Sequence, residues 1–197
     1  MERLLLATSN PGKVREFRRL LDGVPFEIVT PDDLGLRLEV EETGRTYAAN
    51  AVLKSKAYAS AGGCLALADD SGIEVDALDG RPGLYSARYG GPELDDAGRN
   101  ALLLRELTGV SAAKRGARYV AVVAVSEPTG ETALSFGTWE GSIGDAPRGS
   151  GGFGYDPLFV LPDGRVSAEL TPEEKDALSH RGKAVRAAAD YLRSLQG

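Results

Sequence analysis

Apolar positions along the chain fall into short unbroken runs and helical stripes, and the two alternate. Leu4 to Ala7 is a run closed by Thr8, Ser9 and Asn10, the pattern of a buried strand ending in a turn. Pro11 then stands at the favoured first position of a helix with Asn10 as its cap, and Val14, Phe17, Leu20 and Leu21 recur at helical spacing. Phe26 to Thr30 reads as a second strand, so the opening segment predicts a strand, helix, strand unit with its strands parallel. Thr46 to about Ala61 predicts an alanine-rich helix stopped by Gly62 and Gly63, with Asn50 and Lys54 on one face.

The pattern changes after this helix. Cys64 to Ala68 is strand-like, is expected to stop at Asp69-Asp70-Ser71-Gly72, and resumes as Ile73 to Val75. Asp95 to Leu107 predicts a helix. Ala117 to Val125 and Thr132 to Trp139 flank the Pro128-Thr129-Gly130 turn as a hairpin, and Leu158 to Leu161 is a further short strand. Thr171, Pro172 and Glu174 form a capping box, Gly182 is expected to interrupt the helix, and Val185, Ala188, Leu192 and Leu195 stripe the closing one. One crossover unit plus a long hairpin predicts an α/β fold with a mixed central sheet flanked by helices.

Composition narrows the function. With 197 residues, a net charge of −6 and 26% charged residues, the chain is an ordinary globular one without the positive surplus that polyanion binding draws on, so no nucleic-acid partner is expected. No apolar run approaches the roughly 20 residues needed to span a bilayer, so no membrane partner is expected either. The opening residues are too soon polar for a secretory signal, and the one cysteine, Cys64, builds no disulfide framework. Both point to a reducing, cytoplasmic setting.

Four constellations carry candidate chemistry. Thr8-Ser9-Asn10-Pro11-Gly12-Lys13 is a strand-to-helix turn with free N–H groups, hydroxyls and an ammonium, suited to phosphate, though it lacks the spaced glycine of a Walker loop; the plainer reading is a capped surface helix. Glu41-Glu42 and Asp69-Asp70 offer carboxylate oxygens of the kind Mg²⁺ takes with water and substrate phosphate, against plain readings of a solvated loop and a turn. Arg148 to Pro157 contains a formal GxGxxG, but Asp156-Pro157 and a strand follow it where a dinucleotide fold needs a helix; its glycines and aromatic rings suit either a flat base or a flexible loop. Lys175 and Ser179-His180-Arg181-Gly182 hold the lone histidine, with Arg181 offering planar donors to carbonyl oxygens. No paired nucleophile supports Ser-His or Cys-His catalysis.

Taken in order, TSNPGK, EETG, ADDSG, Pro82 to Tyr89, GGFGYDPLF and ELTPEEKDALSHRG span nearly the whole chain and resemble the inosine triphosphate pyrophosphatase family. The resemblance implies a single elongated, two-lobed nucleoside triphosphate pyrophosphatase domain over 1–197, a homodimer, and Mg²⁺-dependent hydrolysis of ITP, dITP and XTP to monophosphate and pyrophosphate. It implies that Thr8, Ser9, Asn10, Pro11, Gly12 and Lys13 hold the triphosphate, with Lys54 facing phosphate and Ser71 touching substrate. Asp70 would be metal ligand and base, aided at the metal by Glu41 and Asp69. Phe153, Gly154, Tyr155, Asp156, Lys175, His180 and Arg181 would surround the nucleotide. Ala49 departs from the motif, standing where the family carries an acidic residue. The competing readings are a septum-inhibitor-like pyrophosphatase of other base preference, whose opening signature is richer in Ser, Pro and Arg, and a nucleotide-binding module without turnover.

Overall fold

A computed structural model describes residues 1–196. The all-apolar opening run becomes strand β1 (Arg3–Leu6), and Asn10 caps helix α1 (Pro11–Leu20) as its spacing predicts, its side-chain oxygen accepting from Gly12 N–H and Lys13 N–H. Strand β2 (Glu27–Val29) returns parallel to β1 with Arg3 opposite Glu27, completing the predicted crossover. Helix α2 (Tyr47–Gly62) ends where Gly63 takes a left-handed conformation at φ 61°, the geometry that makes a glycine the natural stop.

Strand β3 corrects the sequence reading. The stop expected at Asp69-Asp70-Ser71-Gly72 is absent: β3 runs unbroken from Leu65–Val75 and pairs in parallel with β1. Turn-forming residues continue a strand here because neighbouring helices supply partners for the two buried aspartates, and that tertiary satisfaction outweighs local preference. Helix α3 (Asp96–Glu106), capped by Asp95, follows, and then the predicted hairpin of β4 (Gly116–Ser126) and β5 (Thr132–Ile143). Strand β6 (Phe159–Val160) pairs antiparallel with β5, with Ile143 opposite Phe159. One sheet results, in the order β2-β1-β3-β4-β5-β6, mixed as the sequence predicts.

Two helices close the chain, α4 (Pro172–Leu178) and α5 (His180–Ser194). The predicted capping box is present: Thr171 accepts from Glu174 N–H while the Glu174 carboxylate accepts from Thr171 N–H. The break between the helices falls at Ser179, extended at ψ 160°, and not at Gly182, which lies inside the first turn of α5. A helix interior tolerates one glycine at a cost of about 1 kcal/mol, which neighbouring packing offsets.

The chain divides into two compact units that it enters more than once. The first holds residues 1–70, 121–137 and those from Arg181 on; its core sets Phe17 of α1, Leu21 just after it, and Ala184, Val185, Ala188 and Leu192 of α5 against Leu4, Leu6 and Leu67. Odd-numbered Leu67 packs on that side, whereas even-numbered Ala66 and Ala68 pack with Tyr58 and Ala59 of α2, as the two-residue period of a strand requires. The second unit, 71–120 and 138–180, centres on Tyr119, Trp139, Phe159, Leu103 and Leu158. Among the described residues no helix is long and apolar enough to cross a membrane.

Candidate active site

The pleat of β3 decides the chemistry of the first unit, because consecutive residues of a strand point to opposite faces. Asp69 therefore joins the α1 and α5 side and Asp70 the α2 side. Asp69, buried, accepts from Lys13 Nζ at 2.8 Å and from Arg181 Nε and Nη2 at 3.2 Å each; Arg181 Nη1 reaches the buried Glu16. Burial opposes the Asp69 charge, yet Lys13, Arg181 and Lys54 outweigh it and hold this carboxyl well below the usual range. Burial pulls Lys13 below its ordinary value, and its attraction to Asp69 only partly offsets this. Asp69 was expected to help hold the metal; instead both its oxygens are engaged by cations, which makes it the anchor of Lys13 and Arg181.

On the other face Asp70 accepts from Asn50 Nδ2 at 3.0 Å and lies 3.9 Å from Lys54 Nζ, which pairs with Glu42 at 2.6 Å. Burial pushes the Asp70 carboxyl up, Lys54 and the Asn50 bond pull it down, and Glu42 adds to the rise. Where the resemblance favoured Glu41, the structure turns Glu42 toward Lys54 and leaves Glu41 exposed, since neighbours in an extended loop alternate sides. Among the described residues no three His, Cys, Asp or Glu side chains converge as a ready-made metal set. Two carboxylates near one ammonium fit Mg²⁺ nonetheless, because that ion keeps waters and takes the rest of its shell from substrate phosphate.

Asn50, which sequence reasoning placed on the Lys54 face but gave no role, ties this group together. Its Oδ1 accepts from Gly44 N–H at 2.8 Å while its Nδ2 serves Asp70, so the EETG loop and the aspartate share one amide. A Cβ at Gly44 would lie 2.5 Å from Asn50 Oδ1. Gly44→Ala is therefore expected to displace Asn50 from Asp70 and cut turnover about tenfold, with the fold retained by circular dichroism. Glu16 was missed altogether, since an acid inside an otherwise basic helix carries no signal until its buried partner is known.

The turn before α1 keeps Ser9, Asn10 and Pro11 exposed and Thr8 half-buried, with Thr8 Oγ1 accepting from Asn10 N–H. Gly12 is buried and Lys13 points at Asp69. Ser71 follows Asp70 within β3, half-buried.

In the second unit the glycine segment is organised around Asp156, which is buried. Its Oδ2 accepts from Phe153 N–H at 2.9 Å and from Lys175 Nζ; its Oδ1 accepts from Ser167 Oγ at 2.9 Å. Gly152 is required here: at φ +73° its Cβ would lie 2.0 Å from Asp156 Oδ2. Lys175 Nζ stands 4.9 Å from the centre of the half-buried Phe153 ring. Tyr155 differs from the expectation of a ring offered to substrate: it is buried, and its hydroxyl donates to Ser86 C=O at 2.8 Å. Burial pushes that phenol well up. The His180 ring stacks on Tyr119 at 4.6 Å with 6° between planes.

An aspartate flanked by an ammonium and a second carboxylate, beside a lysine at a helix start, can neutralise a phosphate chain and orient water next to it. The chain belongs to the Ham1 family, whose model matches residues 4–191. It is 50% identical to the dITP/XTP pyrophosphatase of Symbiobacterium thermophilum over 98% of this chain and 96% of the other, and 42% identical to that of Bacillus subtilis over 98% of each. The solved Ham1 protein of Staphylococcus aureus is 37% identical, with a TM-score of 0.87 over 98% of this chain and 100% of that one.

Proposed function

We propose that this protein is a Mg²⁺-dependent pyrophosphatase of non-canonical purine nucleoside triphosphates, cleaving dITP, ITP and XTP to the monophosphate and pyrophosphate and so removing deaminated purines from the nucleotide pool. The observation that carries the reading is the division of labour across β3, with cations anchored by Asp69 on one face and the Asp70, Glu42 and Lys54 group on the other. Full-length likeness to proteins named dITP/XTP pyrophosphatase supports it.

In this reading the Thr8 to Lys13 turn holds the triphosphate through the Thr8 and Ser9 hydroxyls and the Lys13 ammonium at the start of α1. Asp70 and Glu42 would hold Mg²⁺, and the chemistry the ion would supply there is neutralisation of phosphate charge. Asp70, oriented by Asn50, takes a proton from the attacking water; the new bond forms at the α-phosphorus, the bond from that phosphorus to the bridging oxygen breaks, and pyrophosphate leaves. Phe153 and Lys175 belong to base recognition. Arg181, its plane fixed by Asp69 and Glu16, supplies the preference for a 6-oxo purine, against which an adenine amino group would set donor against donor. A homodimer and a cytoplasmic setting complete the reading, and sedimentation velocity tests the first of these.

Pyrophosphate release from dITP, XTP, dATP and dGTP, with and without Mg²⁺, tests the whole. Rapid release from dITP and XTP only with Mg²⁺ is expected; orthophosphate as product, or no turnover of dITP with Mg²⁺, overturns it. Lys13→Ala is expected to weaken binding of dITP about tenfold or more while leaving the dITP to dATP ratio unchanged, because the ammonium meets phosphate and not the purine edge. Titration of both triphosphates and of the nucleoside alone checks this.

A further inference from the structure

The glycine segment has a second anchor, which Asp156 does not supply. Gly154 N–H donates to Asp96 Oδ2 at 2.7 Å, and Gly154 C=O accepts from Asn100 Nδ2 at 3.0 Å. Asp96 and Asn100 stand four apart and so share one face of α3. Asp95 performs the capping of that helix, accepting from Gly98 N–H at 2.8 Å, which leaves Asp96 to reach the loop. Asn100 is 5% exposed, and its own Oδ1 has no hydrogen-bond partner among the described residues. Turning the amide over would set that oxygen against the Gly154 carbonyl, so the loop and not the asparagine's own satisfaction fixes its orientation.

We propose that Asp96 and Asn100 are positioning residues that clamp Gly154 by both its backbone groups and thereby set the angle at which Phe153 meets the purine. Gly154 lies at φ +63°, next to Phe153, and a residue with such conformational freedom needs outside contacts to hold one geometry. The clamp acts on the base end of the substrate alone. It rests on the reading that the Phe153 to Asp156 segment receives the base.

Asp96→Ala, Asp96→Asn and Asn100→Ala test the clamp. The Asp96 side chain is largely exposed, so its removal leaves the core intact. Asp96→Ala is expected to raise KM for dITP about fivefold with kcat within about twofold, leaving inhibition by inorganic triphosphate, which has no base, unchanged. Asp96→Asn, whose amide oxygen accepts from the same N–H, is expected to restore the wild-type KM. Asn100→Ala should act in the same direction. An unchanged KM in both alanine variants overturns the proposal, as does a matching loss of dITP and triphosphate affinity with a lowered Tm, which marks a merely structural contact. Wild-type release of pyrophosphate from dITP is the control: its failure would sink the proposed function itself, whereas variants indistinguishable from an active wild type would sink the clamp alone.

Discussion

Asp70→Asn is expected to leave a folded protein whose turnover of dITP is at least about a hundredfold lower, a loss of about 3 kcal/mol of transition-state stabilisation. The substitution is nearly isosteric, so packing around β3 is kept. The Asn50 amide can still donate to the new side-chain oxygen, and Lys54 retains Glu42. What disappears is one negative charge where the proposal needs a metal ligand and a proton acceptor, and a neutral amide supplies neither. Pyrophosphate release at saturating Mg²⁺, read beside a thermal unfolding curve, checks it. Turnover within threefold of wild type would remove Asp70 from the chemistry. A large fall in Tm would instead place the loss in the fold.

Much of this arrangement is legible in the sequence, for identifiable reasons. Caps and stops are local: Asn10 before Pro11, Gly63 after α2 and the Thr171 capping box are each decided within a few residues, and each is observed. The course of β3 is not local. Asp69-Asp70-Ser71-Gly72 has the composition of a turn, and only α2 together with α1 and α5, which come from farther along the chain, makes it a strand by satisfying the aspartates. The same limit applies to Glu16, Asn50 and Glu42, whose roles depend on partners that no spacing rule connects. Motif order singles out Lys13, Asp70, Asp156 and Lys175 as candidates. It did not reveal that Asp69 faces cations while Asp70 faces a second carboxylate, a distinction that follows from strand parity once the strand is known to continue. The return of the chain to each unit after leaving it is likewise a property of long-range packing.

Removing the Arg181 side chain is expected to cost more stability than any other single change in the site. Arg181 is 3% exposed and bridges Asp69 and Glu16, both buried, so Arg181→Met removes the cation these two carboxylates share while Lys13 stays paired to Asp69. Breaking such a buried pair costs about 3–5 kcal/mol. Urea denaturation should show it as a lower midpoint, and Glu16→Gln in the same chain should return part of the loss, since the two changes act on one network. This burial also decides how base preference has to be tested. An alanine at 181 would mix lost recognition with lost structure, so the informative variant is Arg181→Lys, which keeps a cation between the acids but gives up the planar fork. It is expected to lower kcat/KM for dITP about tenfold relative to dATP, in line with the order of 1–3 kcal/mol at stake when a buried polar group loses its match. If both substrates slow alike, Arg181 only holds Asp69 and Glu16 apart, and selection for the 6-oxo purine rests on the Phe153 segment and Lys175.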